Sequence, residues 1–198
     1  MVFSIINMHK LCSFRCKIIN IELVGPPSAT NITIYNIKGK HNMFTQNQIE
    51  EIVDLLYTLN ENTKIYLGCD SVRFKKDGKR YAKFASVCVV HMNGKNGCKV
   101  FRHRSVESDY DLKSNRPSMR LMNEVQKVCE LYVQLAPFID SFPIEIHLDL
   151  NTDPKHGSNC VATQAAGYVL GTTGIIPKLK PDAFAASFSA DHFAQSFS

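Results

Sequence analysis

Signals of several large protein classes are missing from the sequence. No apolar run approaches the ~20 residues that cross a bilayer, so we expect a soluble protein without a membrane partner. The seven cysteines are an odd number without paired spacing, which argues against a disulfide framework and favours a reducing compartment, the cytoplasm. Neither a P-loop nor a Gly-x-Ser-x-Gly motif is present, so a P-loop phosphate site and a serine nucleophile elbow are not predicted.

Acidic residues are scarce in one part of the chain. Residues 73–104 contain ten Lys or Arg and one acid, Asp77, although the whole chain has a net charge of only +5. A basic lobe beside an acidic remainder suits a protein that binds a polyanion next to an acid-held metal, although a solvated hairpin explains the same charges. The residues that we predict to contact phosphates here are Lys83, Lys99, Arg102 and Arg104.

A single domain with an N-terminal extension is expected. The chain has 198 residues and 44% hydrophobic content, enough for one sizeable core. Pro26-Pro27 marks a break, and a capping box at Thr45 opens the first amphipathic helix. We therefore place an extension at residues 1–42 and a compact domain at residues 43–198. The extension is interpreted as an added strand or loose arm rather than a transit peptide.

The order of helical and strand patterns predicts an α/β protein with a mixed sheet. Alternating residues and short turns at 75–78 and 93–94 indicate an antiparallel three-stranded meander. Helical periodicity then predicts a long helix over 116–136. The later segments are a strand ending at Asp149, a helix capped by Ser158, a strand over 175–180 and a helical tail from residue 182. Helices are expected to cover the faces of this sheet.

Two of the predicted strands carry an acid at their carboxyl end. The apolar run from Lys64 contains Asp70, and the run from Ile144 contains Asp149. An acid in that position is costly unless something compensates its charge. Side chains alternate along a strand, so if the two strands are parallel neighbours, Asp70 and Asp149 lie side by side and can share one hard cation.

The remaining candidate ligands come from helical segments. On the long helix, Glu124 falls on the shoulder of the apolar stripe, where it can reach the sheet, whereas Glu130 points towards water. Asp182 or Asp191 can complete the site, and periodicity does not decide between them, because Asp182 can also cap a helix. His147 is interpreted as a satisfied core histidine rather than a partner of the ligands.

Three further polar residues are predicted to contact substrate. Ser71 directly follows the acid of the first strand. Lys155 and His156 lie in the polar loop after the strand of Asp149, where they can reach a substrate or its leaving group. A plain surface loop is an equal alternative for these last two.

Four segments and the basic meander carry a resemblance to a known family. The segments are Leu-Gly-Cys-Asp-Ser at 67–71, Leu-Met-Asn-Glu-Val at 121–125, Ile-His-Leu-Asp at 146–149 and Lys-Pro-Asp-Ala-Phe-Ala-Ala-Ser at 180–187. Together they resemble the YkuK-type proteins, predicted nucleases of the ribonuclease H-like superfamily. The resemblance implies a mixed five-stranded sheet in the order 3-2-1-4-5, with strand 2 antiparallel and helices on both faces. It also implies an acidic site in which Asp70, Glu124 and Asp149 take part.

These observations lead to the hypothesis of a metal-dependent nuclease. Two Mg²⁺ or Mn²⁺ ions, held by Asp70, Glu124, Asp149 and either Asp182 or Asp191, would promote hydrolysis of phosphodiester bonds in RNA, DNA or a hybrid. The main alternative is a ribonuclease H-like module that binds nucleic acid without turnover. Hydrolysis of a small phosphate ester is a third possibility, which requires an enclosed pocket.

Overall fold

The computed structural model describes residues 43–111 and 116–185. Its helices and strands are, in chain order, α1 (Gln46–Tyr57), β1 (Lys64–Lys76), β2 (Lys79–His91), β3 (Cys98–Ser108), α2 (Ser118–Ile139), β4 (Ile144–Asn151), α3 (Ala162–Thr173) and β5 (Lys178–Lys180). Short 3₁₀ turns occupy Met92–Gly94 and Gly157–Val161. The predicted extension at residues 1–42, and Asp191, lie outside the described residues.

The five strands form one sheet in the order β3-β2-β1-β4-β5. β2 is antiparallel to both of its neighbours, and β4 is parallel to both of its neighbours. The predicted α/β class, the strand order and the antiparallel second strand are therefore confirmed. Across the two described ranges, no helix combines the length and the apolar character that a membrane span requires.

Local sequence signals determine the start of α1 and the turn between β1 and β2. The Thr45 hydroxyl accepts a hydrogen bond from the backbone N–H of Gln48, and the Gln48 side chain accepts one from the backbone N–H of Thr45. This confirms the predicted capping box. Asp77 and Gly78 have φ values of 51° and 73°, the pair of positive values that a two-residue type I′ hairpin requires. The tight turn lets β1 and β2 pair along their whole length.

The start of α2 is determined by a distant side chain. The helix runs over Ser118–Ile139, whereas periodicity predicts 116–136. The carboxylate of Asp111 accepts hydrogen bonds from the backbone N–H groups of Met119 and Arg120, and so caps the first turn. A local pattern cannot predict this cap, because Asp111 lies several residues before the helix.

The third helix begins later than predicted, and the last strand is shorter than predicted. The sequence predicts Ser158 as the cap of α3, but its hydroxyl instead accepts a hydrogen bond from the backbone N–H of Asn151. β5 contains only Lys178–Lys180, whereas the pattern predicts a strand over 175–180. Pro177 has no N–H group to donate to a neighbouring strand, which explains the later start.

The two faces of the sheet have different surroundings. On one face, which we call the helix face, Leu67, Cys88 and Phe101 form the main core with apolar residues of α1, α2 and α3. Because side chains alternate along each strand, Asp70 and Asp149 lie on the opposite face, which we call the acid face. The core therefore packs one face, and the candidate ligands of the strands lie on the other.

On the acid face, His147 binds the end of the described chain. Its ring is fully buried, and its Nδ1 accepts hydrogen bonds from the backbone N–H groups of Phe184 at 3.2 Å and Ala185 at 3.1 Å. The ring proton therefore resides on Nε2, which donates to Glu145 at 3.2 Å. Burial lowers the pKa of His147, although Glu145 opposes this shift. The predicted role of His147 as a satisfied core histidine is confirmed.

Replacing His147 tests this anchor. His147→Leu should lower the free energy of unfolding by about 2–4 kcal/mol, because two buried backbone N–H groups lose their acceptor. The measurement is urea unfolding at neutral pH, followed by circular dichroism. His156→Leu, in an exposed loop, is the control and should change stability by less than about 0.5 kcal/mol. Equal stability of the two variants would contradict the anchoring role.

Candidate active site

Asp70 and Asp149 lie on adjacent parallel strands. β1 and β4 pair in register through Cys69 and Leu148, so the two acids are the next residue on each strand. Neighbouring strands are ~4.8 Å apart, and both acids lie on the acid face. They are therefore neighbours, as strand alternation predicts. β1 continues beyond Asp70 to Lys76 alongside β2, so Asp70 stands where the parallel pairing ends and not, as predicted, where the strand ends.

A cavity of about 370 Å³ opens beside these two acids. Its lining includes the carboxylates of Asp70, Glu124 and Asp149, which come from β1, α2 and β4. Two cations, Arg120 and Lys180, line the same cavity. The fold thus gathers three of the predicted acids, together with two basic residues that the sequence analysis missed.

Glu124 is the buried carboxylate of this cavity. It is 3% exposed, and its Oε1 accepts hydrogen bonds from the Ser71 hydroxyl at 2.5 Å and the Arg120 guanidinium at 2.9 Å. Ser71, predicted to contact substrate, is buried and also lines the cavity, and its hydroxyl holds Glu124 in place. Contact of Ser71 with a substrate stays a prediction. Glu130, the alternative acid of the same helix, accepts a hydrogen bond from Gln126 at the surface. α2 therefore presents Glu124 to the cavity.

The surroundings of Glu124 disfavour its negative charge. Burial raises the pKa of its carboxyl well above the usual value, and the charges of Asp70 and Asp149 raise it further. The hydrogen bond from Ser71 and the charge of Arg120 lower the pKa but do not cancel the increase. An additional positive charge in the cavity would relieve this repulsion and favour the ionised carboxylate.

Ion pairs neutralise part of the acid cluster. Lys180 Nζ lies 2.5 Å from Asp149 Oδ1, and Arg120 pairs with Glu124. Within residues 43–111 and 116–185, no three carboxylate, imidazole or thiol groups are gathered closely enough to hold one metal ion. The three carboxylates are nevertheless the hard oxygen donors that suit Mg²⁺ or Mn²⁺. An ion at Asp149 would require Lys180 to move away from that carboxylate.

Each of the two missed cations has a signal in the sequence. Arg120 is four residues before Glu124, a spacing that brings two side chains together on one helix surface. The position of Lys180 beside Asp149 depends on the register of β5, which pairs Lys180 with Asn151, two residues after Asp149. The helical signal can be read from the sequence, but the register of a three-residue strand cannot.

The described residues do not bring a fourth acid to the cavity. Asp182 is exposed in the turn after β5 and does not line the cavity. Its charge adds to that of Glu145 in raising the pKa of Lys178. The role of Asp182 as a ligand stays a prediction. Asp191 lies outside the described residues, and its role stays a prediction.

The loop after β4 lies beside the cavity. Lys155 and His156 are both exposed, and the loop is held by hydrogen bonds from the Lys155 backbone N–H to the Asp153 side chain and from the His156 backbone N–H to the Asp153 carbonyl oxygen. The next residue, Gly157, lines the cavity. The backbone therefore brings Lys155 and His156 close to the mouth of the cavity, and contact with a substrate stays a prediction.

The four predicted phosphate contacts divide between the two faces of the sheet. Lys83, Arg102 and Arg104 lie on the acid face, with Asp70. Lys99 lies on the helix face, where its Nζ is 2.6 Å from the carboxylate of Glu51 on α1. Lys99 is therefore not in a position to bind the same phosphates as the other three.

A mixed sheet in the order 3-2-1-4-5, with acids on its two central parallel strands, defines the ribonuclease H-like class of fold. A family model described as Ribonuclease H-like matches residues 44–195. The chain belongs to this family. No curated protein and no solved structure gave a significant match. Membership points to a nuclease or a binding module that acts on nucleic acid.

Removing Arg120 tests the electrostatics of the cavity. Arg120→Met should lower the free energy of unfolding by about 3 kcal/mol, because Glu124 keeps its burial but loses its cation. Chemical unfolding at neutral pH measures this loss. Arg116→Met removes an exposed arginine just before the same helix and should have an effect below about 0.5 kcal/mol. A loss no greater than that of Arg116→Met would show that the ion pair contributes nothing.

Proposed function

We propose that this protein is a divalent-metal-dependent nuclease that hydrolyses phosphodiester bonds of nucleic acid. The observation that carries the proposal is the meeting of Asp70, Glu124 and Asp149 around one cavity, at the border of a basic sheet face. Membership of the ribonuclease H-like family supports it. We take residues 43–198 as the catalytic domain.

The acids would hold the metal ions. Asp70 and Asp149 approach the cavity from neighbouring strands, and Glu124 approaches it from α2. Bound Mg²⁺ or Mn²⁺, with two ions in the site, supplies an activated water nucleophile and stabilises the leaving oxygen. Asp191 is our candidate for the remaining ligand, because Asp182 does not line the cavity.

Arg120 and Lys180 act on the acids and on the substrate. Arg120 holds the buried Glu124 carboxylate in one orientation and favours its ionised form. Lys180 pairs with Asp149 in the absence of substrate. A metal ion would compete with Lys180 for this carboxylate. A nucleic-acid phosphate would offer the ammonium group a new partner, so substrate binding would strengthen the binding of the metal by Asp149. In this proposal Lys180 couples substrate binding to completion of the site.

Basic residues of the acid face would hold the substrate near the acids. Lys83, Arg102 and Arg104 contact phosphates, and Lys155 and His156 contact the substrate at the mouth of the cavity. Binding of this kind tolerates different sequences and weakens with added salt, because phosphate contacts release counterions.

The cytoplasm is the proposed location. The five cysteines of the described ranges are free thiols. Burial raises the pKa of Cys88 to about 12 and that of Cys129 to about 11, so these thiols stay protonated and unreactive. Buried thiols that form no disulfide suit a reducing compartment.

The double variant Asp70→Asn with Asp149→Asn tests the proposed activity. It should lower Mg²⁺-dependent cleavage by more than about 100-fold, since changes next to metal ligands alone cost 10–100-fold. The assay compares hybrid, duplex, single-stranded and branched substrates with Mg²⁺ and with EDTA. Asp54→Asn, an exposed acid of α1, is the matched control and should cleave like the wild type. Unchanged cutting by the double variant would exclude this site.

A non-catalytic nucleic-acid-binding module is the second candidate. The ion pairs of Lys180 with Asp149 and of Arg120 with Glu124 favour it, because they satisfy two of the three acids without a metal. In that case the wild type binds nucleic acid, and the cleavage assay shows no metal-dependent hydrolysis on any of the four substrates.

Metal binding can be measured without any substrate. Mg²⁺ or Mn²⁺ at ~100 times its dissociation constant should raise the melting temperature by about 5–10 °C, because the ion binds only the folded protein. The shift should disappear in Asp149→Asn. Asp191→Asn should also lose part of it, whereas Asp182→Asn should keep it. A matched ionic strength of potassium chloride controls for screening, and an equal shift with potassium would argue against a specific metal site.

A further inference from the structure

The acid face of β1, β2 and β3 carries a regular array of side chains beyond the cavity. The two antiparallel registers align these side chains in rungs of three, one from each strand. We call the three rungs that lead from the cavity towards the β1–β2 turn the outer grid. They are Asp70, Ala85 and Arg104; then Val72, Lys83 and Val106; then Phe74, Tyr81 and Ser108. Val72 is 42% and Val106 58% exposed, so the middle of the grid is open to a partner.

The charge on the acid face of β1, β2 and β3 is mainly positive. Along β1, β2 and β3 its cations are Lys76, Lys79, Lys83, Arg102 and Arg104. Within these three strands, Asp70 is the one acid on the same face. Such a surface attracts an extended polyanion, whose phosphates can follow the row of cations.

Two aromatic rings lie among these cations. Phe74 and Tyr81 are cross-strand neighbours, stacked with their centroids 5.5 Å apart and an interplanar angle of 25°. The ammonium group of Lys83 lies 5.0 Å from the centroid of the Phe74 ring. Lys83 and Tyr81 thus both contact Phe74, and Tyr81 remains partly exposed. Aromatic rings beside cations are the elements with which proteins bind single-stranded nucleic acid.

The geometry points to a binding surface for single-stranded nucleic acid on the outer grid, with unpaired bases stacked on Tyr81 and phosphates held by Lys83 and Arg104. This inference rests on the proposed function and adds to it the strandedness of the substrate. Stacking on a side chain requires the flat face of a base, which a regular duplex keeps between neighbouring base pairs. The surface should therefore prefer single strands to duplexes. A basic face without aromatic residues would not show this preference.

The spacing of the grid fits a strand that also reaches the acids. Phe74 is four residues beyond Asp70 on β1, which places its rung ~13 Å away at ~3.3 Å per residue. A stacked strand carries a phosphate about every 3.4 Å. A base on Tyr81 therefore lies about four nucleotides from a phosphate at the acids. Lys83, in the middle rung, lies between these two points, and Arg104 shares the rung of Asp70, two strands away.

The test is a binding measurement in EDTA, where no cleavage occurs. Fluorescence anisotropy compares a short single strand, a blunt duplex of the same sequence, and an abasic strand of equal length and charge. The wild-type protein should bind the single strand most tightly and lose about 5- to 100-fold in affinity for the abasic strand, because stacking is lost. Equal affinity for the normal and the abasic strand would overturn the inference, and this comparison needs no variant.

Variants of Tyr81 locate the stacking surface. Tyr81→Leu should weaken single-strand binding by about 5- to 100-fold and leave duplex binding nearly unchanged. Tyr81→Phe keeps the ring and should bind like the wild type. Tyr57→Leu removes a 73% exposed aromatic of α1 as the matched control and should also have no effect. Full single-strand affinity in Tyr81→Leu, or an equal loss for single strand and duplex, would contradict the assignment.

The result of this binding test can be distinguished from the result of the cleavage assay that tests the proposed nuclease activity. If the wild type cleaves with Mg²⁺ but binds normal and abasic strands equally, the proposed function holds and the inference is wrong. If the strand preference and the Tyr81 effect are found without any cleavage, the surface assignment holds and the protein is a binding module.

Discussion

The parallel pairing of β1 with β4 is the constraint on which the candidate site depends. Leu67 pairs with Ile146 and Cys69 with Leu148, and all four side chains are buried on the helix face. A slip of one residue would turn the apolar side chains of β4 to the other face and Asp149 into the core. Burying a large apolar side chain is worth about 1.5–3 kcal/mol, so the core itself fixes the acids side by side. Catalytic geometry would thus follow from packing rather than from contacts between the acids, which repel each other.

The end of that pairing explains how acids from both faces of the sheet meet. Asp70 and Asp149 belong to the acid face, whereas Glu124 reaches Ser71 on the helix face. The pairing of β1 with β4 ends one residue before the two aspartates. Beyond that point no backbone hydrogen bonds between these two strands separate one face of the sheet from the other. The cavity lies at this point. A carboxylate from α2 can therefore approach two carboxylates that lie on the opposite face of the same sheet.

Strand alternation and helical periodicity predicted the positions of the three acids, because the face on which a side chain lies depends only on the spacing of residues within its own strand or helix. Contacts between distant elements could not be read in that way: the Asp111 cap of α2 and the pairing of Lys180 with Asp149 both require the tertiary structure. Lys99 is a different case. Side chains alternate between the two faces along a strand, and this rule already puts Lys99 and Arg102 on opposite faces. The same rule that predicted the positions of Asp70 and Asp149 could therefore have shown that Lys99 does not share a face with the other predicted phosphate contacts.

The distribution of positive charge favours an extended substrate over a small phosphate ester. A small phosphate ester in the cavity would meet two cations, Arg120 and Lys180, each of which is already paired with a carboxylate. The cations of the outer grid would have no role in binding it, since Lys83 lies one rung beyond Asp70 and towards the hairpin turn. A polyanion uses both sets, because one of its phosphates can occupy the cavity while its neighbours follow the acid face of β2 and β3. The basic meander and the acid cluster, which are far apart in the sequence, then act on one molecule.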